Sequence, residues 1–250
     1  MAKRWHFVLV TVSVVALTCW SRQLHTSNQP SLRLARLQQR PPRWATAAAE
    51  SDAQFGALAA LVRQGGMANL STAIGSGDLF ITFGSFSLLP FVLNWVGTLR
   101  AHGVWRLVVG ALDEEMRSAC EASGVPTLLI GERGRGVGGY FRKDYAAFKQ
   151  MGRAKTRFLA ALLGAAPGGL WVCDADMVWL SAPPEQWIRQ PALLPADVLL
   201  SSDCLDLAAD ARGECGDWAN LNTGVLYLRG GAGARSFVRR WEEAMEHVGP

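Results

Sequence analysis

Asp174 and Asp176, one residue apart in Leu170-Trp171-Val172-Cys173-Asp174-Ala175-Asp176-Met177-Val178-Trp179, are the pair in this sequence best suited to chemistry. Four apolar residues before them spell a buried strand, and strand alternation sends two acids at this spacing to the same side. In open α/β sheets ligands collect beyond the carboxyl ends of the strands, so both carboxylates are expected at the mouth of a crevice. Two hard oxygen ligands suit Mn²⁺ or Mg²⁺, which would bridge the diphosphate of a nucleotide-activated substrate. A bare D-x-D is more often a polar turn. This one lies inside an apolar run continued by Met177-Val178-Trp179-Leu180, where a polar turn has little reason to sit.

The same string also fits the strand-then-D-x-D-x-V opening of haloacid-dehalogenase-type phosphatases, in which the first Asp is a nucleophile. That chemistry needs a downstream Lys and a D-x-D that opens its domain. Here no Lys follows Lys155, and three strand-helix units come first.

Those units are what must position the acids. Ser51 is suited to cap a helix carrying Phe55, Leu58, Leu61 and Val62 on one face and stopped at Gly65-Gly66. Strands are expected at 79–83, 106–112, 127–130, 170–173, 198–201 and 225–228. Helices are expected at 88–102, 114–122, 145–163 and 234–248, with a Gly-rich loop at 131–139. Strands alternating with helices predict an α/β fold with a mostly parallel sheet.

The 250 residues are 50% hydrophobic and 18% charged, enough apolar material for a large core and too much for a disordered chain. The net charge of +4 divides unevenly. Seven of the 25 Lys and Arg fall in residues 1–49, which hold no acid, leaving 18 bases against 21 acids in the remainder. A basic leader in front of a mildly acidic body argues against a nucleic-acid partner, which requires basic residues on the folded part. Within the leader, residues 5–20 (WHFVLVTVSVVALTCW) follow Lys3 and Arg4 and read as a signal anchor, or else as a cleaved signal peptide. Residues 21–50 then read as a stem, and 51–250 as the lumenal domain of a single-pass type II membrane protein. Asn69-Leu70-Ser71 is a glycosylation acceptor that such a placement would make usable. The five cysteines form no C-x-x-C; Cys173 reads as core, and Cys204 and Cys215 flank a polar loop that an oxidising lumen would let them close.

Seven fragments, among them Ile81-Thr82-Phe83, Val108 through Asp113, Gly152 through Arg157, Cys173 through Leu180, Asp197 through Asp203 and Leu221 through Arg229, occur in an order that resembles the plant and green-algal nucleotide-diphospho-sugar transferases of glycosyltransferase family 77. The resemblance implies a GT-A fold, a Rossmann-like nucleotide half joined to an acceptor half. It implies transfer of a pentose, arabinose or xylose, from a UDP-sugar to a cell-wall polysaccharide or glycoprotein acceptor in the Golgi, with retention. Carried over by position, Asp174 and Asp176 become the metal and donor pair. Thr82 and Phe83 become donor-site residues for base and ribose. Lys155 would neutralise diphosphate charge or hold an Asp in place. Asp113 would either line the nucleotide pocket or cap the helix starting at Glu114. Asp203 and an Asn222-Thr223-Gly224 turn would lie on the sugar side, with Asp203 or Asn222 facing the anomeric carbon. Many GT-A enzymes take a third metal ligand, often His, from a late segment; His247, the only late His, has no motif around it. The chain is therefore read as stopping short of a full catalytic domain, and a non-catalytic lumenal scaffold is the competing class.

Overall fold

The computed structural model describes residues 8–9, 49–131, 145–166, 168–183, 185–202, 204, 206, 208–209, 212, 214 and 221–247. Helices α1 (Ala49–Gly65) and α2 (Met67–Ile74) precede strand β2 (Asp78–Gly84). Then follow α3 (Leu89–Ala101), β3 (Leu107–Ala111), α4 (Glu114–Ala122), β4 (Thr127–Leu129), α5 (Tyr145–Ala165) and β5 (Gly169–Cys173). The chain continues through β6 (Val198–Ser202), β7 (Leu221–Arg229) and α6 (Ala232–His247). Of the leader, only Val8–Leu9 is described, as a two-residue strand β1 pairing in parallel with β6; the anchor and stem otherwise lie outside the described residues. No helix among the described residues is long and apolar enough to cross a membrane.

The sheet runs β1-β6-β7-β5-β2-β3-β4. Strands β2, β3, β4 and β5 are mutually parallel, and among the described residues β7 alone runs antiparallel to its neighbours, between β5 and β6. The mostly parallel α/β fold expected from the sequence is the one observed. The central strands read as unbroken apolar runs because helices cover both faces. Phe80, Val109, Trp171, Cys173 and Tyr227 pack with α3 and α4 on one face. Leu79, Ile81, Val108, Leu170, Val172, Leu226 and Leu228 pack with α1, α2, α5 and α6 on the other.

This order fixes where a crevice must open. From β2 the chain steps outward to β3 and β4, then returns to place β5 on the opposite side of β2. Neighbouring connections thus leave in opposite directions at the β2–β5 boundary, the switch point at which open α/β sheets bind ligands. At the other end of the same strands, Asp78 is buried and holds the sheet together. Its carboxylate accepts from Tyr227 Oη at 3.4 Å, Trp171 Nε1 at 3.4 Å and Arg189 Nη2 at 3.5 Å.

Two expectations at the first helix change. Ser51 lies inside α1 rather than capping it, because Ala49 and Glu50, good helix formers, carry the helix upstream. Leu61 is exposed, while Phe55, Leu58, Ala59 and Val62 are buried; Ala59 takes the place of Leu61 in the buried stripe, at the i, i+3, i+4, i+7 spacing of one helix face. The Gly-rich loop lies, apart from Gly131, outside the described residues.

The long crossover from β5 to β6 is tied down by one side chain. Arg229, at the end of β7, donates to the carbonyls of Ala196 (3.0 Å), Ile188 (3.2 Å) and Leu193 (3.2 Å). An ammonium cannot reproduce that planar fork. Arg229→Lys is expected to cost about 1–3 kcal/mol, read as a lowered midpoint in urea unfolding with an unchanged slope.

Candidate active site

Asp174 directly follows β5, so the D-x-D lies in the turn beyond the strand rather than in the strand itself; Asp174 and Asp176 are exposed and Ala175 between them is buried. The turn is closed by Met177 N donating to Asp174 O at 3.2 Å. Cys173, the preceding residue, is fully buried, and burial pushes its thiol up to about 12. It is a core residue and no thiolate ligand.

The partner of this turn is the amino-terminal part of β7. Asp174 N donates to Gly224 O at 2.8 Å, and Cys173 pairs with Val225. On its other edge β7 pairs with β6 through a bulge, the partner of Ser201 being Asn222 where regular pairing from Leu200–Leu226 would give Val225. The Ser201 hydroxyl fills that irregularity, donating to Asn222 O (3.1 Å) or Val225 O (3.2 Å). Asn222, Thr223 and Gly224 were expected in a turn; they lie in strand β7, which starts four residues earlier than the apolar run Val225–Leu228. Pairing with Ser201 and Ser202 extends the strand, and the bulge gives these residues the departure from regular geometry that the turn reading sought.

Gly224 is there for close approach. A Cβ on it would stand 2.7 Å from Asn222 Oδ1 and 3.3 Å from Asp174 Oδ2. Asn222 Oδ1 in turn accepts from the Gly224 amide.

Lys155 comes from α5 and is 6% exposed. Its Nζ donates to Thr223 Oγ1 at 3.4 Å and stands 4.9 Å from the ring centroid of Phe83 and 5.7 Å from that of Trp241. Burial lowers its pKa, and attraction to Asp174 works the other way. Thr82, at the end of β2 beside Phe83, is fully buried, and its hydroxyl has no hydrogen-bond partner among the described residues. It lies beneath the site rather than on its surface.

Asp113 resolves toward one of its two readings. Its Oδ1 accepts from Met116 N at 2.7 Å as the N-cap of α4, and its Oδ2 accepts from Phe86 N at 2.9 Å. Both oxygens serve the main chain, fixing the loop after β2 to the start of α4. Asp203 lies outside the described residues. His247 ends α6, its side chain also outside them. Cys204 is disulfide-bonded while Cys120 and Cys173 are free; Cys215 lies outside the described residues. The structure thus gathers Asp174, Asp176, Lys155, Phe83, Asn222, Thr223 and Gly224 at one edge of the sheet and assigns Asp113 to the scaffold. Trp241, on α6, joins that edge through Lys155.

The donor set suits an oxygen-liganded divalent cation. Two exposed carboxylates sit at one turn, that of Asp174 packed against Gly224. Among the described residues no group of three or more His, Cys, Asp or Glu could hold a metal; further ligands would be water and substrate oxygen. A cavity of about 600 Å³ opens elsewhere, at the amino end of β2, lined by Asp78, His102, Trp105, Arg106 and Glu185. It contains none of the residues gathered around the D-x-D.

Residues 102–250 match the nucleotide-diphospho-sugar transferase family. The chain belongs to that family. It is also 31% identical over 174 residues to an arabinosyltransferase of Arabidopsis thaliana, XEG113, an alignment covering 67% of this chain. The chain spans 26% of that relative's length. The resemblance to plant arabinosyl- and xylosyltransferases is borne out, and the phosphatase reading of the D-x-D gives way. The family match runs from the end of α3 through β7 and α6, so the D-x-D, Lys155 and the β7 bulge all fall within the part shared with other transferases.

Gly224→Ala tests the close approach. Displacing the Asp174 carboxylate by a few tenths of an ångström or more is expected to lower kcat/KM about tenfold to a hundredfold, with a smaller loss in unfolding midpoint than Arg229→Lys produces.

Proposed function

We propose that the chain is the catalytic part of a divalent-cation-dependent glycosyltransferase of GT-A fold. It moves a pentose, arabinose or xylose, from a UDP-sugar to a cell-wall polysaccharide or secreted glycoprotein acceptor, with retention. The observation that carries this reading is the D-x-D at the switch point, both carboxylates exposed beside a strand that brings Asn222, Thr223 and Gly224 to the same edge. Family membership supports a nucleotide-sugar donor, and the arabinosyltransferase relative supports a pentose.

Asp174 and Asp176 would hold Mn²⁺ or Mg²⁺, whose chemistry there would be to offset the negative charge of a diphosphate leaving group. The chain's own residues do the rest. Lys155 presents an ammonium toward the same diphosphate from a dry pocket, where its charge is weakly screened. Phe83 backs that ammonium, and Thr82 shapes the floor below the base and ribose. Gly224 admits the donor close to the main chain, and Asn222 and Thr223 face the sugar. Asp203, which follows β6 directly, is assigned with Asn222 to the anomeric side. We further propose that residues 1–20 are a signal anchor and 21–50 a stem, placing the transferase domain in the Golgi lumen with the amino terminus cytosolic; in the anchored chain Val8–Leu9 lie in the membrane instead of pairing with β6.

A panel of UDP-sugars with Mn²⁺ tests the assignment. Transfer or slow hydrolysis is expected with a UDP-pentose, and Asp174→Ala combined with Asp176→Ala should lower it at least about a thousandfold, as should EDTA. Activity that survives either treatment contradicts the mechanism. UDP binding without turnover of any donor points to a scaffold.

A further inference from the structure

Burying a lysine ammonium costs several kcal/mol unless it is compensated. The compensation described for Lys155 is one neutral hydroxyl, two aromatic faces and the field of Asp174. One of those faces belongs to Trp241, in the third turn of α6, a helix that contributes no other described contact to this edge. Trp241 is itself held from behind, its ring 5.9 Å from that of Phe237, and α6 is fastened to α5 by Arg153 donating to Met245 O at 3.3 Å. The aromatic clamp is therefore rigid on the α6 side, while Phe83 comes from the end of β2 next to the D-x-D. A cation held between π faces is oriented by the rings, whose attraction offsets part of its desolvation. This suits a group whose task is to meet an incoming anion.

We propose that Trp241 is a positioning residue of the donor site, acting through Lys155: it sets the ammonium beside Asp174, where it opposes a bare cation and favours one that arrives with a diphosphate. The inference rests on the donor-site reading above and adds to it a residue and an order of preference. A positive charge next to the metal-binding carboxylate weakens cation binding by itself. The same charge strengthens binding of the anionic nucleotide. The two effects therefore have opposite signs, which a merely structural tryptophan would not produce.

Calorimetry of the full lumenal domain with two probes, Mn²⁺ alone and UDP in the presence of Mn²⁺, tests it. Lys155→Met is expected to tighten Mn²⁺ alone and to weaken UDP. Trp241→Leu should weaken UDP about tenfold, within the reach of a desolvated cation–π contact, and Trp241→Phe should recover most of the loss. In the Lys155→Met background, Trp241→Leu should have no further effect on UDP. A Trp241→Leu loss that adds in full to that of Lys155→Met overturns the proposal, as does an unchanged UDP affinity in Trp241→Leu. If Trp241→Leu fails to fold, Trp241→Met takes its place in the cycle. A wild-type protein that binds no UDP overturns the donor assignment itself. In that case the Mn²⁺ titration of Lys155→Met still decides whether Lys155 opposes a cation at Asp174: tightening supports the coupling, and no change overturns it.

Discussion

An antiparallel strand in an otherwise parallel sheet must present its first residues where its neighbours present their last. β7 is that strand, and the hydrogen bond from Asp174 N to Gly224 O is where the constraint takes effect. It locks the turn after β5 to the start of β7, so residues fifty positions apart share one edge. The crossover between them has to be long, and Arg229 fastens it by its carbonyls. Asp78 and its partners brace the other end of β2, β5 and β7. With both ends fixed, the edge carrying the carboxylates can be polar and open without loosening the sheet.

That edge carries charge of both signs: two exposed carboxylates, and one ammonium buried between Phe83 and Trp241. In the proposed reading a cation would meet the carboxylates and a diphosphate the ammonium. The seven bases of residues 1–49 all precede the domain in sequence, and the remainder carries a small excess of acid.

Much of this was legible in the sequence, for physical reasons that can be named. Strands buried on both faces leave uninterrupted apolar runs, so β2, β3 and β5 declare themselves, and the helix expected at 114–122 is α4, capped by Asp113. The D-x-D stood out because the run around it is so apolar. What stayed hidden depends on partners distant in sequence. The β7 bulge arises from pairing with Ser201, and Asn-Thr-Gly in isolation carries the signature of a turn. Asp113 fitted a pocket and a cap equally until two amides claimed its oxygens. The role of Trp241 follows only from the packing of α6 on α5, and a tryptophan on an amphipathic helix looks like core from its own neighbourhood.

The central claim is that the edge built by β5 and β7 is a cation and nucleotide site. Diffraction from crystals grown with Mn²⁺ and UDP, recorded across the manganese absorption edge, tests it most directly. The account predicts one strong anomalous peak bonded to the carboxylates of Asp174 and Asp176, with the diphosphate on the same ion and the Lys155 ammonium facing it. An anomalous peak elsewhere with that turn empty, or UDP bound away from the ends of β2 and β5, would contradict it.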